Sequence, residues 1–276
     1  MNSQSLNTPG QHGGREKMPL LFIGHGSPMN AIEENEFTSG WRETGRKLLR
    51  PDVILCISAH WETMGTFVTA MEKPRTIHDF GGFPRDLYEV QYPAPGNPEL
   101  AEKIQRIIKK TEVIPDKEWG LDHGCWSVLI RMFPQANIPV IQLSLDYSQP
   151  ARYHFELARE LQPLRNNGIL VIGSGNMVHN LRMIDWDRMN DPVFGYEWAI
   201  EANEQMKRFI LTEDHESLIN FRSQGKAFDL AIPTPEHFLP LLYILALKEK
   251  KENVEFFNDK PVLGSLTMTS LKISEG

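Results

Sequence analysis

Nine histidines are the residues of this chain best suited to chemistry; they stand at positions 12, 25, 60, 78, 123, 154, 179, 215 and 237. Three of them follow short apolar runs. PLLFIG (Pro19 to Gly24) leads into His25, DVILCIS (Asp52 to Ser58) into Ala59 and His60, and GILVIG (Gly168 to Gly173) into the turn that ends at His179. Such runs read as buried strands, and in open α/β sheets ligands bind beyond the carboxyl ends of the strands. If the strands are parallel, one rim of the sheet gathers three imidazoles. Imidazole suits zinc and ferrous iron, and two or three His around an open position form a catalytic metal site. A single His at a strand end is more often a hydrogen-bonded structural residue. Three independent strand ends flanked by small residues weaken that plainer reading.

The remaining histidines divide by context. Thr234-Pro235-Glu236-His237 reads as a helix start, with Thr234 as cap and Pro235 at the first helical position. His237 then lies in the first turn, where the helix dipole disfavours imidazolium and favours the metal-competent neutral ring. His123, in Leu121-Asp122-His123-Gly124, precedes an apolar helical stretch. It could donate to a bound oxygen or substrate, or orient its loop. His78 adjoins Asp79-Phe80-Gly81-Gly82-Phe83, where substrate contact is possible. His154 and His215 read as solvated or structural, and His12 belongs to a polar N-terminal stretch.

The elements that must position these groups alternate along the chain. Further strand-like runs are GTFVTAM (Gly65 to Met71), PVIQLSL (Pro139 to Leu145) and VLGSLTMTSLKI (Val262 to Ile273). Helical patterns lie at 97–110, 151–165, 196–211 and 235–248. Continuous apolar strands alternating with helices predict an α/β fold, a central mostly parallel or mixed sheet with helices on both faces. With 276 residues, no linker and no repeat, one domain is expected over 18–276, after a disordered tail at 1–17. Two long irregular stretches, 72–97 and 115–126, are candidates for function because long structured loops in compact domains often are.

Composition narrows the partners. Lys plus Arg number 29 and Asp plus Glu 36, a net charge of −7, which argues against a nucleic-acid binder. The apolar run 238–247 is too short for a bilayer, so no membrane span and a cytoplasmic location are expected. Cys56 and Cys125 read as reduced thiols. No phosphate loop, dinucleotide fingerprint or GxSxG nucleophile elbow is present.

Seven segments occur together in a familiar order. They are GHGSPM (24–29), SAHWE (58–62), TIHDFGGFP (76–84), YPAPG (92–96), WGLDHG (119–124), SGNMVHNLR (174–182) and PTPEHFLPLLY (233–243). On these the chain resembles the DOPA-dioxygenase type of the class III extradiol ring-cleavage dioxygenases, over roughly Met18 to Ile273. The resemblance implies one catalytic domain with one divalent metal, Fe(II) for oxygen activation or Zn(II) as occupant. His25 and His60 match the first two ligands and His237 the late ligand. His179 matches either a further ligand or the catalytic base, and His123 a second active-site histidine. The wider superfamily often uses a late Glu, and Glu236 adjoins His237. Adjacent helical residues point about 100° apart, so one of the two binds. The implied substrates are a DOPA-like catechol and O2.

The chemistry follows from these parts. A catechol chelating through both oxygens needs open coordination positions, which three protein ligands leave. A neutral His can take the phenolic proton, and His179 is the residue chosen for that role. Rival readings are a zinc-dependent hydrolase with His179 or Glu236 as base, a tetrapyrrole metal chelatase, and a metal-binding protein without turnover.

Overall fold

The computed structural model describes residues 17–188 and 193–276. Residues 1–16, with His12, lie outside the described residues. Lys17 is the first described residue, and its ammonium pairs with Glu249 and Glu252.

Ten strands and nine α-helices occur among the described residues. The strands are β1 (Leu20–Gly24), β2 (Val53–Thr63), β3 (Thr66–Thr69), β4 (Val113–Asp116), β5 (Val140–Asp146), β6 (Ile169–Gly175), β7 (Glu252–Phe257), β8 (Pro261–Val262), β9 (Leu266–Thr267) and β10 (Ser270–Glu275). The helices are α1 (Glu36–Lys47), α2 (Arg85–Tyr88), α3 (Pro98–Ile107), α4 (His123–Met132), α5 (Ala151–Arg159), α6 (Glu197–Leu211), α7 (His215–Ile219), α8 (Lys226–Ala231) and α9 (Leu239–Ala246).

Eight strands form one sheet in the order β4-β3-β5-β2-β6-β1-β10-β7. Its centre, β5-β2-β6-β1, is parallel. The pairs β1–β10, β10–β7 and β3–β5 are antiparallel, so the sheet is mixed, as expected. Alternate side chains enter two separate cores. Leu20, Phe22, Leu55 and Ile57 face one, and Leu21, Ile23, Ile54 and Cys56 face the other. This two-sided burial is why the strands read as unbroken apolar runs. Both cysteines are buried and free.

Several boundaries differ from the sequence reading. β2 continues through His60 to Thr63, with a register shift between Ile57 and Glu62. The final run is broken into β8, β9 and β10. The helical pattern 151–165 ends at Arg159 and resumes as a 3-10 helix at Gln162–Asn167. β4 and β7 were not predicted; only one residue in four of β4 is buried, so no apolar pattern marks it.

The start of α9 is a correction that touches the site. The helix begins at Leu239, with Pro240 in its first turn, and Pro235 to Phe238 form a separate turn. Both the Phe238 and Leu239 amides donate to the Pro235 carbonyl. The Thr234 hydroxyl donates to Glu236 Oε1 (2.8 Å) instead of capping the helix. His237 is therefore not in a helical first turn, and the dipole does not explain its neutrality.

Candidate metal centre

The parallel register brings the ends of β1 and β6 level, with Gly24 opposite Gly175. His25 leaves β1 here and is fully buried. His60 projects from the irregular end of β2. His179 lies beyond β6, held by its amide on the Ala231 carbonyl (2.9 Å). The turn bearing His237 crosses β6 so closely that a Cβ on Gly175 would lie 2.1 Å from the His237 carbonyl oxygen. His123 is the first residue of α4, whose cap is Asp122. Gly124 allows this helix end to reach β2, since a Cβ there would be 2.9 Å from His60 Cδ2 and 2.5 Å from Ser58 Oγ.

Five histidines, at 25, 60, 123, 179 and 237, thus share one rim. Among the described residues, the donor atoms of His25, His60 and His123 lie within 4.8 Å of one another, as do those of His179, Glu236 and His237. The rings of His25, His60 and His237 form a nearly equilateral triangle, with centroid separations of 5.0, 5.1 and 5.0 Å. An imidazole bound at about 2.1 Å puts its centroid about 3.2 Å from the ion, so this triangle fits ligand angles of about 100°. The His60 and His123 centroids are only 3.8 Å apart, which fits a shared ion less well.

A hydrogen bond fixes how the His25 ring is protonated, and a facing carboxylate bears on the His60 ring. Ser174 donates its hydroxyl proton to the Gly124 carbonyl (2.5 Å), so it can only accept from His25 Nδ1 (2.9 Å). The His25 proton is on Nδ1 and Nε2 carries a lone pair. His60 Nδ1 lies 3.4 Å from the Asp79 carboxylate, which favours a proton on that nitrogen over a lone pair. The two Nε2 lone pairs then oppose each other at 3.0 Å. Two facing acceptors repel unless a cation bridges them, and at about 2.1 Å per bond this spacing gives an angle of about 90°. His237 Nδ1 is buried without a hydrogen-bond partner. The donor set therefore fits a divalent ion.

His179 occupies a different position. Its ring stacks on His237 with centroids 3.4 Å apart and planes within 9°. A ligand lone pair lies in the ring plane. An ion in the plane of one ring therefore lies well outside the plane of the other.

Burial lowers all four of these pKa values. His25 and His237 fall well below the ordinary imidazole range, mainly by desolvation, with neighbouring imidazoles adding to it. Desolvation and His123 bring His60 to about 3 and His179 to about 4. Rings of this kind are neutral at pH 7, as metal binding requires. The linkage sign is definite. Unfolded His titrates near 6.5, so between about pH 4 and 6.5 the unfolded chain binds more protons and stability rises with pH. The urea midpoint of metal-free protein should fall as pH is lowered through that window, with a shallower slope for His179→Gln. A midpoint independent of pH there would contradict the neutral assignment.

A buried polar layer supports the rim. Asp122 accepts from Ser58 Oγ (2.6 Å) and Gln142 Nε2 (2.6 Å) as well as capping α4. Burial raises its carboxyl pKa, against the pull of those hydrogen bonds. Of the other histidines, His154 is buried and bonds Tyr243 (3.1 Å), a structural role. His215 packs on Phe155. His78 Nε2 bonds the Val90 carbonyl (3.0 Å), so one of its nitrogens is engaged by the protein. Sequence reasoning gave no role to Asp79, Ser174 or Gln142. Asp79 was visible only as an acidic residue beside two glycines in a long loop.

Comparison with known proteins decides the class. The family described as the catalytic LigB subunit of aromatic ring-opening dioxygenase matches residues 19–265. The chain belongs to this family. It is an enzyme of the extradiol ring-opening dioxygenase class, metal-dependent and acting on a small molecule with O2. A relative from Escherichia coli K12, 4,5-DOPA dioxygenase extradiol, is 47% identical over 93% of this chain and 95% of its own. A Beta vulgaris protein of the same name is 35% identical over 92% of this chain and 96% of its own. A crystal structure of an uncharacterized protein from Escherichia coli K12 superposes with a TM-score of 0.81 at 42% identity, covering 94% of this chain and all of the other. Family membership counts against the hydrolase, chelatase and non-enzymatic readings. No helix among the described residues is long and apolar enough to cross a membrane.

Proposed function

We propose that this dioxygenase opens the ring of a catechol bearing a DOPA-like side chain. His25, His60 and His237 would hold one divalent metal. His179 would be the base and His123 the donor to oxygen during cleavage. The observation that carries the ligand set is the triangle of His25, His60 and His237 rings, with the Nε2 atoms of the first two 3.0 Å apart and His237 Nδ1 without a partner. The substrate class is carried over from the 4,5-DOPA relatives, on the strength of near-full-length similarity.

The protein groups divide the work. Three imidazoles would hold the metal and would leave it open positions for both catechol oxygens. His179, unprotonated at neutral pH and stacked beside a proposed ligand, is placed to take a phenolic proton. The anionic catecholate then favours the imidazolium that forms. The ring stack supports this role over direct ligation. His123 commits Nδ1 to Asp79, so its Nε2 donates to oxygen only after taking up a proton, a step the Asp79 carboxylate favours. Bound Fe(II) would supply the electron transfer that dioxygen needs, whereas Zn(II) would occupy the same ligands without redox chemistry.

The test is anaerobic reconstitution with Fe(II), followed by oxygen uptake on a catechol panel and identification of the product. One O2 consumed per catechol, with cleavage beside the diol, is expected, and zinc-loaded protein should be inert. No uptake across the panel, or cleavage between the two hydroxyls, would overturn the reading.

A further inference from the structure

We infer that Asp79 is a positioning residue that sets the tautomer of two active-site imidazoles at once. Its carboxylate accepts the His123 amide on Oδ1 (2.8 Å) and His123 Nδ1 on Oδ2 (2.8 Å). The same Oδ2 lies 3.4 Å from His60 Nδ1, an ion-pair distance. One oxygen accepts the His123 amide, so the other, in the same planar group, is placed to accept from His123 Nδ1, and a lone pair on the His60 Nδ1 that it also faces would be repelled. Both rings therefore carry their proton on Nδ1 and present Nε2 to the centre.

The carboxylate is itself held firmly. The Ile77 amide donates to the Leu121 carbonyl (2.7 Å), and Trp126 Nε1 donates to the Ile77 carbonyl (2.7 Å). Phe80 packs against His123, with centroids 5.5 Å apart. The loop before Asp79 is thus strapped to α4, and the side chain is only 15% exposed. Two irregular stretches far apart in sequence meet at this one residue.

The consequence rests on the proposed roles of His60 and His123. A partner that fixes a ligand's far nitrogen raises its basicity toward the metal. A carboxylate on His123 Nδ1 also stabilises the imidazolium that forms when Nε2 takes up a proton. One substitution should therefore weaken both metal binding and turnover.

The experiment uses full-length zinc-loaded protein labelled with 15N at histidine, with tautomers read from two-bond 1H–15N correlation spectra. Wild type should show Nδ1–H at both His60 and His123. In Asp79→Asn, nearly the same shape, the amide group donates where the carboxylate accepted. His123 should shift toward the Nε2–H form, and zinc affinity, measured by chelator competition, should fall about 10- to 100-fold. In the iron-loaded enzyme kcat should fall more than KM rises. Asp79→Glu should recover part of the zinc affinity, as expected of a carboxylate and not of loop packing. An Nε2–H tautomer at His123 in wild type would overturn the inference. So would Asp79→Asn with wild-type tautomers, affinity and kcat. If wild type cleaves no catechol, the functional reading fails while spectra and affinity still judge Asp79. An active wild type with an indifferent Asp79→Asn variant sinks this inference alone.

Discussion

His237→Ala should strip the protein of its metal and reduce ring cleavage to background. The ring closes the triangle with His25 and His60 at separations of 5.1 and 5.0 Å, and its Nδ1 has no other partner. Removing it leaves two ligands where three are needed to hold the ion and keep the remaining positions for substrate. The loss should exceed the roughly 10- to 100-fold cost of deleting an outer-shell partner. Glu236→Gln is the matched control. Its carboxylate is near the rim but accepts the Thr234 hydroxyl at 2.8 Å. Metal content after dialysis should remain near one per chain in Glu236→Gln and fall below about a tenth of that in His237→Ala. The reverse order would assign the carboxylate as the late ligand. Folding of both variants is checked by near-ultraviolet circular dichroism, because the His237 carbonyl also accepts the Asn176 amide (2.9 Å).

The separation between what the sequence displays and what it hides follows from contact distance along the chain. His25 and His60 were legible because each is attached to an apolar strand, and parallel pairing to β6 brings the strand ends together. His237 was legible as a residue but not in its setting. Pro235 and Pro240 both suit a first helical turn, and the local pattern does not choose between them. The structure chooses Pro240, and the passage of the His237 turn over Gly175 replaces the dipole as the reason for its position. Asp79 and Ser174 were hidden for a different reason. Asp79 bonds a histidine 44 residues away and Ser174 one 149 residues away, contacts that leave no periodic trace. β7 was missed because it is an edge strand, buried chiefly at Glu252, where the ion pair with Arg165 stands in for apolar packing.

Removing the imidazole of His179 should separate chemistry from binding. His179→Ala should retain most of its metal and still bind catechol, yet lose turnover by about 10²–10⁴-fold, the worth of a positioned general base. The argument rests on the stack with His237. Parallel rings 3.4 Å apart cannot both direct in-plane lone pairs at one ion, so a site built on His237 leaves His179 free to carry a proton. Its pKa, lowered to about 4 by burial and His123, keeps the ring unprotonated before substrate arrives. Deleting it also removes a face that supports His237, so a modest fall in metal affinity is expected alongside the larger fall in kcat. Metal occupancy and activity should be measured on the same sample. Metal content falling in step with activity would make His179 a ligand, and full occupancy with undiminished cleavage would exclude both roles. A catechol whose hydroxyls are already ionised no longer needs the base. Raising the pH or choosing a more acidic catechol should therefore narrow the gap between His179→Ala and wild type, an effect that loss of a ligand would not produce.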